Sequence, residues 1–136
     1  MKNFDIESLV NPEIVEGAFI YHDNEIFEVI DMDINQITII NKISGKKNIS
    51  DKDWSPIELN EDWLNRFNLK VGSKIRNKTT DLDWIIKSTG NLYYTSIYVE
   101  PPYGDNPVIG LKFVHELQAW YFRLTHENIK LNKKLC

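Results

Sequence analysis

Leu111-Lys-Phe-Val-His-Glu-Leu-Gln-Ala-Trp-Tyr-Phe-Arg-Leu-Thr125 is the stretch whose reading decides the fold of this 136-residue chain. Val114, Leu117, Tyr121 and Leu124 recur at steps of three and four, and Phe113 and Trp120 widen that stripe. The spacing predicts a helix over 111–126 with a broad apolar face that must be buried. The strands that precede it in the chain are the natural cover.

Just upstream, Pro101-Pro-Tyr-Gly-Asp-Asn-Pro107 reads as a loop, because its prolines and glycine break regular structure. Ser73–Lys78, Leu82–Ser88 and Leu92–Val99 read as strands, the last two joined by a turn at Thr89-Gly-Asn91. The region 73–110 is therefore a β-hairpin region with one further strand. Residues 60–70 form a short helix: Asn60 caps it, Glu61 and Asp62 suit the positive N-terminal end, and Trp63, Leu64 and Phe67 make its buried side.

Residues 17–59 carry the signals of an antiparallel meander. Gly17–His22 is a strand, Asp23-Asn24 a turn pair that tolerates positive φ, and Glu25–Asp33 and Gln36–Asn41 are strands joined at Asp33–Gln36. Ser44-Gly45-Lys46 turns the chain again, and Asp51–Pro56 is rich in turn residues before a last strand, Ile57–Leu59. The fold class is α+β: an N-terminal meander, SH3-like or a bent sheet, a short helix, and a second antiparallel sheet packed by the C-terminal helix. With no flexible Gly/Ser linker, 1–136 is read as a single domain.

Apolar content of 42% with four Trp argues for a real core and against disorder. Sixteen basic against twenty acidic residues leave a net charge of −4, which disfavours non-specific attraction to phosphate backbones. Local basic patches stand at Lys42, Lys46 and Lys47 and on the face of Lys74, Arg76 and Lys78, each with acidic residues nearby. The only cysteine is Cys136, so no intrachain disulfide forms and a reducing, cytoplasmic compartment is expected. Neither a secretory signal nor a membrane span is expected.

The motifs of catalysis are not met. His115-Glu116 and His126-Glu127 place their histidines eleven residues apart, whereas a helical zinc site needs two on one face, four apart. The Asp31-Met-Asp-Ile-Asn35 run starts like a calcium loop but has Gln36 where glycine belongs and Lys42 where the closing glutamate belongs. Asp51 with Asp53, and Asp81 with Asp83, flank turns, where Asp commonly occurs. No glycine loop of phosphate-binding spacing and no flanked nucleophile is found. The expectation is a non-enzyme without metal or cofactor.

The remaining lead is a set of aromatics, Tyr93, Tyr94, Tyr98 and Tyr103, with Trp84 nearby. Tyrosine suits interfaces because it adds contact area with little rotamer entropy and a polar handle, and it also stacks bases. Alternation puts Tyr94 and Tyr98 on one face and Tyr93 on the other, so one set can equally be core.

Two segments, Ser55-Pro-Ile-Glu-Leu-Asn-Glu-Asp-Trp-Leu-Asn-Arg-Phe67 and Leu111–Thr125, resemble a group of small accessory proteins carried by phages and prophages of the Bacteroidota. That group has a Glu-Trp-Leu-x-x-Phe helix and a closing Val-His-x-Leu-Gln-x-x-Tyr-x-x-Leu-Thr helix; here Phe113 stands where a tyrosine usually precedes Val-His. The resemblance spans residues 17–69 and 111–128. It implies a phage context, in which small non-enzymatic proteins bind a host factor, for instance inhibiting a CRISPR effector nuclease. On that reading the partner is a host protein, including a nucleic-acid-bound defence complex, and the contacts are Trp84, Tyr94, Tyr98 and Tyr103. Two alternatives stay open: a nucleic-acid or nucleotide module using Lys42, Lys46 and Lys47 with Tyr21 or Phe27, and a structural or assembly part of a virion.

Overall fold

The computed structural model describes residues 14–88, 97–102 and 108–131. The turn at 89–91, most of the strand expected at 92–99, Tyr93, Tyr94, Tyr103 and Cys136 lie outside the described residues. The chain divides into two compact units, Met1–Ser55 and Pro56–Cys136.

The first unit holds β1 (Phe19–His22), β2 (Glu25–Asp33), β3 (Gln36–Asn41) and β4 (Gly45–Ser50), an antiparallel meander in the order β1-β2-β3-β4. Asp23 and Asn24 both take positive φ, 53° and 63°, the backbone that lets a two-residue turn follow the twist of its strands. Asn35 (φ 69°) does the same between β2 and β3. Ile20 faces Phe27, Val29 faces Ile39, and Ile37 faces Ile49. These side chains form the unit's core with Ile14 and Ala18, and Trp54 packs against it. A bulge between Val29 and Asp31 shifts the register, so that Asp31, Thr38 and Asn48 make one polar row on the opposite face. Past β4 the chain returns to β1, where Tyr21 and Ser55 exchange both backbone hydrogen bonds at 2.9 Å. The meander is thus bent back on its own first strand.

The last strand expected of the meander differs from the sequence reading. Ile57–Leu59 does not close the meander but belongs to the second unit. Leu59 N–H donates to the Lys112 carbonyl, Val114 N–H donates to the Ile57 carbonyl, and Glu58 bridges Phe113. Its partner lies more than fifty residues ahead in sequence, out of reach of local pattern.

The second unit continues with α1 (Glu61–Arg66), β5 (Lys74–Asn77), β6 (Leu82–Ser88), β7 (Ile97–Glu100), β8 (Ile109–Leu111) and α2 (Val114–Thr125). Asn60 caps α1 as expected, its Oδ1 accepting from Trp63 N–H at 2.9 Å. The sheet is antiparallel in the order β5-β6-β7-β8, and α2 packs against β5 and β8. β8 falls where the sequence read the end of the loop region and, at Leu111, the start of the helix, which begins three residues later at Val114. Glu116 fixes that start: its Oε1 accepts from the backbone N–H of Lys112 at 2.6 Å and of Phe113 at 3.0 Å. At the far end His126 takes the left-handed conformation (φ 61°), and its N–H closes on the Phe122 carbonyl. Val114, Leu117, Trp120 and Leu124 are buried, as the period required.

Candidate functional site

Of the aromatic residues singled out in the second unit, Trp84 and Tyr98 are among the described residues, and they lie on opposite faces of the sheet. Trp84 faces Ile75 across the strands, and two residues on Ile86 faces Val99; both of the latter are fully buried. Trp84 therefore lies on the core side, where its ring meets Trp120 edge to face at 6.2 Å. Tyr98 lies on the other side, opposite Lys87 and Gly110, half-buried. Its neighbours there form ion pairs, Lys87 with Glu100 at 3.7 Å and Arg76 with Asp81 and Asp83. Such exposed pairs contribute little to stability, and they leave this face electrically balanced. Trp84 serves packing, and Tyr98 remains as a surface aromatic.

The lysines of the first unit are placed differently from one another. Lys42 is exposed in the β3–β4 turn, which Asn41 braces by accepting from the N–H groups of Ile43 and Ser44. Glu25 accepts from the Ser44 hydroxyl at 2.7 Å and from the Asn41 amide, and these bonds hold its carboxyl below the usual range. Lys46 and Lys47 line a recess of about 370 Å³ with Ile30, Asp31, Thr38 and Asn48. Thr38 donates to Asn48 Oδ1 at 2.7 Å across its floor. Lys47 Nζ stands 5.2 Å from the Phe27 ring centre, yet Phe27 itself is fully buried and cannot stack a base. Of the aromatic partners expected for a nucleotide, only Tyr21 is exposed.

A second recess in this unit, of about 610 Å³, is lined by Tyr21, His22, Asp23, Asn24, Lys52, Asp53, Trp54 and Ser55. The β1–β2 turn supplies one wall and the returning 52–55 segment the other, held together by the Tyr21–Ser55 bridge. Trp54 is oriented by its indole N–H, which donates to the Asp51 carbonyl at 2.8 Å. The His22 ring is clamped as well: its edge meets Phe27 at 5.8 Å, and its Nδ1 lies 2.8 Å from the Asp53 carbonyl. Because a carbonyl only accepts, Nδ1 carries a proton. The other ring nitrogen, Nε2, lies 3.9 Å from Asp23 Oδ2, and the two form an ion pair when the imidazole is protonated.

Sequence reasoning had named Tyr21 and Asp53 separately and missed that both line one recess. The two walls are some thirty residues apart in sequence, and only the register of the bent sheet joins them. The local signals that existed were the positive-φ pair after His22 and the turn-rich Asp51–Pro56.

Among the described residues, no group of three or more His, Cys, Asp or Glu side chains converges to hold a metal ion. Among them, too, no helix is long and apolar enough to cross a membrane. No family model, curated protein or solved structure matches the chain.

Proposed function

We propose that this chain is a non-catalytic accessory protein of phage type that binds a macromolecule of a bacterial host, in the host cytoplasm. Inhibition of a defence system such as a CRISPR effector nuclease is its concrete form. The observation that carries the binding reading is the open recess at the β1–β2 turn, whose lining includes Tyr21 and Trp54 together with Asp23 and Asp53. Aromatic surface supplies contact area, and fixed acceptors supply orientation. The charge of this unit points to the kind of partner: residues 14–55 hold eight carboxylates against four lysines. An acidic surface is steered towards a basic one, and proteins that handle nucleic acid carry basic channels. The likeness of the 55–67 and 111–125 segments to phage accessory proteins supports the biological setting. The mechanism is steric: the protein occupies a surface its target needs, at one-to-one stoichiometry and without turnover.

The test is an affinity pull-down from host lysate, split into nuclease-treated and untreated halves. Recovery of the same defence protein or nuclease from both halves is the expected result. Capture that disappears on nuclease treatment would overturn the reading in favour of a nucleic-acid module. That second reading draws on Lys46 and Lys47 beside Thr38 and Asn48 in the smaller recess. It predicts binding of an isolated oligonucleotide that weakens steeply with salt, measured by fluorescence anisotropy.

A further inference from the structure

We propose that the outward face of the first unit's sheet is a self-association surface, on which a second copy of this chain seats so that Glu28 of each copy meets Lys46 of the other.

The argument starts from one row of the sheet. The register sets Phe19, Glu28, Ile40 and Lys46 side by side across β1, β2, β3 and β4. Directly paired residues share a face, and the buried Ile20, Phe27, Val29 and Ile39 occupy the other one. The outward row therefore reads apolar, acidic, apolar, basic. Glu28 is half-buried between two apolar cross-strand neighbours, and burial holds its carboxyl above the usual range. Among the described residues neither a hydrogen bond nor a cation offsets that cost. Lys46 is exposed on the same face, two strands and about 10 Å away across the sheet. Ile40 stands between them, and among the described residues Lys46 has no carboxylate partner. A sheet that satisfied these charges by itself would set them directly opposite one another.

A two-fold axis running along β3, between two facing copies, turns that spacing into complementarity. It sets β2 of one copy over β4 of the other, so that two Glu28–Lys46 pairs flank an Ile40–Ile40 contact. The next row repeats the match. Asp31, Thr38 and Asn48 lie side by side on β2, β3 and β4, and the Thr38 hydroxyl donates to Asn48 Oδ1 at 2.7 Å. The Asn48 amide N–H groups are then free to donate to the second copy's Asp31. Other occupants fit less well: a nucleic acid would meet Glu28 and Asp31, and a wholly basic surface would meet Lys46. The strands of this face are four to nine residues long, which covers less than the roughly 800 Å² per partner of a standard stable interface. The dimer is accordingly weak and depends on concentration.

The test is sedimentation equilibrium on the full chain at low salt, with a reductant present so that Cys136 cannot link copies. Loading runs from about 10 µM to about 1 mM, the range a small interface requires. The weight-average mass is expected to climb from that of one chain towards twice that value. Glu28→Lys and Lys46→Glu should each weaken association about tenfold, and the double variant, which exchanges the charges, should restore it to within about threefold of the parent. Lys42→Glu, the same charge change in the β3–β4 turn, should leave it unaltered. A ¹⁵N dilution series on the parent reads the face without any substitution: the amides of Glu28, Thr38, Ile40, Lys46 and Asn48 should shift with concentration, and those of Lys74 and Arg76 should not. A parent that stays monomeric throughout would overturn the proposal and leave the face to another partner. Shifts confined to the second unit, no recovery in a folded double variant, or an equal loss in Lys42→Glu would overturn it as well.

Discussion

His115 shows how far a single side chain can couple this fold to pH. It is 3% exposed and stacks on Phe113 at 5.9 Å, and burial lowers its pKa from an ordinary 6.5 to about 4. Between those values the unfolded chain binds a proton that the folded one refuses. The stabilisation is therefore complete above pH 6.5 and is lost as the pH falls towards 4, by at most about 3 kcal/mol. Glu116 works in the opposite sense, since burial raises its carboxyl above the usual value, so the histidine must be isolated by comparison. Urea unfolding of the parent and of His115→Leu at pH 7 and at pH 4.5 does this. The parent should lose more stability between the two; parallel losses would refute the assignment. Asn60 is a second residue with a defined role. Asn60→Ala removes the side-chain bond to Trp63 N–H and should cost about 1 kcal/mol in the same assay.

At the scale of elements, α2 and the first meander are held by burial. Phe27 and Leu117 are fully buried, one in each unit. Phe27→Ala should destabilise by about 3–5 kcal/mol and Leu117→Ala by about 2–5 kcal/mol, read from denaturant midpoints. A loss below 1 kcal/mol at either would mean that the packing described is wrong. The turn at Asn35 gives a gentler test: Asn35→Gly should hold or raise stability, and Asn35→Val should lower it by about 1–2 kcal/mol, because φ there is 69°. The elements that carry such local signals were legible in the sequence. The α2 stripe, the Asn60 cap and the Asp23-Asn24 turn each depend on neighbours within a few residues. What was not legible depends on distant partners. Ile57–Leu59 looked like one more strand of the meander because nothing local reveals its pairing with residues 112–114. β8 is three residues long and runs straight into the apolar start of α2, so its pattern merges with the helix. Trp84 looked like a surface aromatic beside Tyr98 until the β6–β7 register put the two on opposite faces. The recess was hidden for the same reason, since its walls meet only through the return of residues 52–55 to β1.

At the scale of the molecule, the chain is acidic overall, and the first unit carries an excess of carboxylates and an open recess whose lining includes Asp23 and Asp53. These features suit a protein that is drawn to a basic surface and stays there, and they give salt a specific role. Charge steering sets the rate of encounter, while the close contacts made at the recess set the rate of escape. The captured complex should therefore survive a wash at high salt once formed, even though its formation slows. The most direct measurement is the pull-down from nuclease-treated host lysate, run with the parent and with Asp23→Asn as parallel baits and washed at high salt. The account predicts that the parent retains one host nucleic-acid-handling protein in near-equal molar amount and that Asp23→Asn retains much less of it. Capture by the parent only where nucleic acid is left intact would contradict it.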